Sequence, residues 1–148
     1  MSNLLGFLMN SRKEIQFIDS IDASFPIGDE EEAKKLVSTG AAISDNAALM
    51  IGLELMSGPL GQFINQRLSL LELLLLERPT HAVRVAAPII ENFIRSMPPS
   101  EDSIERLLEY CRENKGCYNA LGILSMCSPE LEKEARNILE SWKISGMS

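Results

Sequence analysis

The stretch LSLLELLLLERP, residues 68–79, decides how the rest of the chain is read. Leu68, Leu70, Leu71, Leu73, Leu74, Leu75 and Leu76 crowd its first nine residues, and Glu72 is the only charge before Glu77. A helix that is apolar all round must be covered on more than one side. The run therefore predicts the middle helix of a stack, packed between the helices before and after it, with Leu71, Leu74 and Leu75 buried. Nine residues fall well short of the ~20 that a membrane-spanning helix needs, so no membrane insertion is expected.

Working outward, the chain punctuates itself into helices. Ser44 or Asp45 caps a helix through Leu49, Leu53 and Met56, and Gly58-Pro59 ends it and starts the next. From Pro59, the residues Leu60, Phe63, Ile64, Leu68, Leu71 and Leu75 recur at helical spacing up to the stop at Pro79. A third helix over Thr80–Met97 turns Val83, Ala86, Ala87, Ile90, Ile94 and Met97 to one side, with Pro88 inside it. After Pro98-Pro99, Ser100 caps a helix bearing Glu101 and Asp102 in its first turn and Ile104, Leu107, Leu108 and Cys111 as its stripe. A short helix through Ala120, Leu121 and Leu124 follows. Ser128-Pro129-Glu130 then opens a last helix with Leu131, Ala135, Ile138 and Trp142 inward.

The reading is of one domain, 1–148, an all-α stack of helical hairpins over 44–143 with a frayed tail at 144–148. Within 1–43, Leu4–Ile18 reads as a helix, or alternatively Glu14–Ile18 as a short strand, and DSIDASFPIG as a loop. Asp29 caps a further helix, EEEAKK onward, to about Thr39. Net charge is −7, distributed as −5 over 1–58, +1 over 59–97 and −3 over 98–148, so the greasy centre is nearly neutral between acidic flanks. This balance disfavours nucleic acid or an anionic membrane and favours a basic protein partner. The opening MSNLLGFLMNSRKE has its basic pair after the apolar residues, the wrong order for a secretory signal. Cys111, Cys117 and Cys127 make no disulfide framework and read as reduced thiols of a cytoplasmic protein.

LLELLLLERPTHAVRVAAPIIENFI resembles a HEAT-type repeat, with a leucine-rich first helix, a proline turn and V-R-x-A-A-x-x-I from Val83 to Ile90. ALGILSMCSPELEKEARNIL looks like a degenerate second copy. An offset of 48 matches Val83 to Leu131, Ala87 to Ala135, Ile90 to Ile138 and Ile94 to Trp142, close to the ~40–47 of HEAT or armadillo units. Arg84 meets Glu132 instead of a second arginine, and the helix at 101–114 makes the spacing more armadillo-like. The resemblance covers about half the chain. It implies a HEAT/armadillo-like short solenoid, as against an irregular helical bundle, and a protein-binding scaffold.

Candidate chemistry is sparse. His81 is the sole histidine, which leaves neither a His-paired metal site nor a Ser-His-Asp triad well supported, and no metal or cofactor is expected. Cys117 follows Gly116 at a helix start, where a thiol is acidified, but no CxxC accompanies it. Asp29–Glu32 reads as a helix start, or alternatively as an acidic docking patch. Opposite the core stripe of the third helix run His81, Arg84, Pro88, Glu91 and Arg95. These are a solvated face or, in the sharper reading, half of a ridge. Second helices of stacked hairpins lie side by side, so Arg84, Glu91 and Arg95 are expected to merge with Glu132, Arg136 and Glu140 into one partner-binding surface. The function expected is a non-enzymatic, acidic helical binder that neutralises or escorts another protein, in the manner of an immunity or adaptor protein. A homo-oligomerising module, a small-molecule sensor and an enzyme using Cys117 are the alternatives.

Overall fold

A computed structural model of the chain describes residues 30–57 and 63–147, with side chains to 143. The expected helix or strand before Asp29 and the Pro59-Leu60 helix start lie outside these residues. Seven helices, and no strand, make up the described residues: α1 (Glu30–Ile43), α2 (Asp45–Ser57), α3 (Ile64–Glu77), α4 (His81–Ile94), α5 (Glu101–Glu113), α6 (Tyr118–Ser125) and α7 (Pro129–Met147). The fold is all-α.

Hydroxyl caps place several starts where the sequence puts them. Ser44 Oγ accepts from the Ala47 amide at 3.0 Å, Ser100 Oγ from Ser103 at 3.1 Å, and Ser128 Oγ from Leu131 at 3.1 Å. The stops differ more. α1 runs through a buried Gly40 to Ile43 instead of ending near Thr39. α4 ends before Met97: Ser96 adopts φ 58°, and the Met97 amide donates back to the Asn92 carbonyl at 2.8 Å. That is a left-handed helix stop, and it turns Met97 out to 54% exposure instead of into the core. At the other end α7 continues to Met147 where a frayed tail was expected. Ile144 and Ser145 are compatible with helix, and one glycine costs only about 1 kcal/mol.

The centre of the stack is α2, not the leucine helix. α2 packs on α1, α3, α4 and α6, and buries Asn46, Ala47, Ala48, Leu49, Ile51, Gly52, Leu55 and Met56. Its small residues let the neighbours approach closely: a Cβ on Gly52 would sit 2.6 Å from Ile90 Cδ1. α3 does pack against the helices before and after it, α1, α2 and α4, and buries Leu70, Leu71 and Leu74. It is nevertheless an outer element. Asn65, Ser69, Glu72 and Leu76 fall on one strip at helical spacing and face solvent, with Leu76 78% exposed and Leu75 only half-buried. Seven leucines make a wide apolar arc, which three neighbouring helices fill, and leave the fourth side open.

A polar clasp fixes the start of α2. The Asp45 carboxylate accepts from Arg78 Nε at 2.7 Å and Thr80 Oγ1 at 2.8 Å, while Arg78 Nη1 donates to the Ala41 carbonyl at 2.7 Å. Asn46 Oδ1 accepts from the Asn119 amide at 3.0 Å, and Asn119 Nδ2 donates to the Asn46 carbonyl at 2.6 Å. The α3–α4 turn and α6 are thereby tied to the same end of α2, which orients the groove described next. No helix among the described residues is long and apolar enough to cross a membrane.

Candidate functional site

The six residues expected to form one ridge lie on two separate surfaces. α7 rests chiefly on α6, and α6 also packs against α4, so it stands between the two outward stripes. The inward stripes do repeat at the offset of 48: Val83, Ala87, Ile90 and Ile94 are buried, as are Ala135, Ile138 and Trp142, with Leu131 half-buried. The same offset carries Glu77 onto Ser125 and His81 onto Pro129, the end of α6 and the start of α7. α5 packs against both α4 and α6.

Five of the six charges already have partners on their own helix. Arg95 reaches Glu91 at 3.6 Å, Arg136 reaches Glu132 at 2.6 Å and Lys143 reaches Glu140 at 3.6 Å. Exposed pairs of this kind contribute little, about 0.3–0.5 kcal/mol each. Arg84 is the exception: among the described residues its guanidinium makes no ion pair.

Arg84 opens onto a groove of about 430 Å³ between α4 and α5. The short connection makes the two helices antiparallel, so the start of α4 meets the end of α5, and the His81 and Tyr110 rings lie 5.8 Å apart at a tilt of 58°. One wall offers Arg84, Val85 and Pro88, the other Arg106, Glu109 and Glu113, with Tyr110 between them. Arg106 pairs with Asp102 at 3.1 Å. Glu109 and Glu113, like Arg84 across from them, make no ion pair among the described residues. Pro88 adds a further feature to the α4 wall. Lacking an N–H, it cannot give the Arg84 carbonyl its helical donor. The α5 wall lies outside the stripes singled out from the sequence. Its signal is there in the spacing: Glu101, Glu105, Glu109 and Glu113 fall at every fourth position.

Beyond Tyr110 a smaller cleft of about 240 Å³ is lined by Asp45, Asn46, Tyr110, Lys115 and Cys117. The structure thus brings His81, Asp45 and Cys117 around one tyrosine, though they are far apart in sequence. They do not form a relay. His81 makes no hydrogen bond to Asp45 or Cys117 among the described residues, and Asp45 is engaged by Arg78 and Thr80. Burial drives the Tyr110 hydroxyl far above the ordinary tyrosine range, reinforced by the neighbouring Cys117. Burial likewise pushes the Cys111 thiol up to about 12, with Cys117 adding to the shift and Arg112 opposing it. Cys127 is raised by burial too, and its Sγ lies 3.4 Å from the Ile123 carbonyl. Both are held as neutral thiols. Among the described residues, no group of three or more histidine, cysteine or acidic side chains is placed to hold a metal ion.

Compared with protein-family models, curated proteins and solved structures, the chain matches none.

Proposed function

We propose that this protein is a non-enzymatic binding module, an acidic helical scaffold that receives a segment of another protein in the α4–α5 groove and thereby neutralises or escorts it. The observation that carries this reading is Arg84: it is the one residue of the expected six whose charge has no partner on its own helix, and it lines the α4–α5 groove. An open groove with unmatched charge on both walls suits recognition, because opposite charges on a partner steer encounter and fix register. The HEAT- or armadillo-like relation belongs to the same proposal, supported by the repeated inward stripe and helix bounds.

The test is a matched pair of charge reversals. Arg84→Glu and Arg136→Glu both alter exposed side chains, so both should fold with stability changed by about 0.5 kcal/mol or less. Protein captured from the native source by the unmodified chain should be lost with Arg84→Glu, a drop of about tenfold or more, and retained with Arg136→Glu. Equal retention by both variants would move the site off this groove.

A further inference from the structure

Resting on the reading that the α4–α5 groove receives a partner, we propose that the segment it takes is a basic helix of another protein. Lysine or arginine on successive turns of that helix would meet Glu109 and Glu113, and a carboxylate beside them would meet Arg84.

The α5 wall carries its charge at a cost to itself. Glutamates four residues apart face one another along a helix, and like charges so placed repel. Glu101, Glu105, Glu109 and Glu113 repeat that arrangement down the whole of α5. Within the described residues only Arg112 relieves the strip, reaching Glu105 at 3.8 Å, while its other arm reaches Glu134 at 3.9 Å. Glu109 and Glu113, the two that line the groove, make no ion pair within the described residues. Cations arriving from outside would remove this repulsion.

Spacing selects a helix. Four residues of α-helix rise about 6 Å, so cations four residues apart on a partner helix meet Glu109 and Glu113 in register. Val85, Pro88 and Tyr110 supply the apolar seat between the charged walls. Charge also selects against a second copy of this chain. At −7 per chain, two copies repel overall, whereas a basic partner is drawn in.

The probe is an alanine-based helical peptide with lysine at every fourth position and one glutamate on the adjoining strip. It is titrated into the full chain and followed by fluorescence anisotropy at low salt. Saturable binding is expected, weakened about tenfold or more by E109K/E113K, and weakened also by the milder E109Q/E113Q, which keeps the proposal testable should the reversal fold poorly. The E130K/E140K variant on α7 should bind as the unmodified chain does. Three results would overturn the proposal: no binding, binding indifferent to E109K/E113K, or equal loss with E130K/E140K, which marks only a general pull toward a negative chain. The groove reading fails separately, on Arg84→Glu leaving native-partner capture intact, whatever the peptide does.

Discussion

At the scale of the residue, the molecule separates charges that are satisfied from charges that are not. Glu132 and Arg136 look as functional in sequence as Arg84, but they hold each other at 2.6 Å, and only geometry shows the difference. The thiols divide in the same way. Cys117 was the residue whose position at a helix start marked it for chemistry, yet it is buried against Tyr110, and Cys111 is buried beside it. Cys111 also makes a pH prediction. Its folded pKa of about 12 lies above the ordinary value near 9, so the folded state keeps a proton that the unfolded chain gives up. The associated stability is whole below pH 9 and is lost as pH climbs from there toward 12. Melting temperatures measured at rising pH should fall across that window, and Cys111→Ala should flatten the fall. A melting temperature that held steady from pH 9 to 11 would contradict the burial argument.

At the scale of the element, the leucine run shows what pattern reveals and what it conceals. Its helical character and its burial at Leu71 and Leu74 were legible, because seven leucines between a helical stripe and a proline stop leave few other options. Its place in the stack was not. Exposure of Leu76 follows from the strip it shares with Asn65, Ser69 and Glu72, a strip easily overlooked beside so many leucines. Conversely, α2 is apolar on most sides, with Leu49, Ile51, Leu55 and Met56 buried beside Ala47, Ala48 and Gly52, but its mixed residues catch the eye less than seven leucines. Two substitutions separate the readings. Leu74→Ala empties a fully buried site and should cost about 2–5 kcal/mol in chemical denaturation. Leu76→Ala removes a side chain that is 78% exposed and should change stability by about 0.5 kcal/mol or less. Comparable losses at both positions would restore the leucine helix to the middle of the stack.

At the scale of the whole molecule, the all-α succession of helices was legible and its consequence for the surface was not. Matching residues at an offset of 48 predicts helices over Thr80–Met97 and from Ser128 onward, and α4 and α7 occupy those stretches. The sequence also predicts the helix at 101–114, but nothing in its pattern says which side of α4 that helix covers. α5 packs along α4 and supplies Glu109 and Glu113 opposite Arg84. The proposed attraction for a basic partner rests on that wall. The most direct test of this account is contact at the groove itself. A photo-crosslinking aliphatic side chain at Val85, half-buried on the α4 wall, should capture the partner in the native source. The same probe at Arg136 on α7 should not. Adducts at position 136 with none at position 85 would contradict the account and place the working surface on α7.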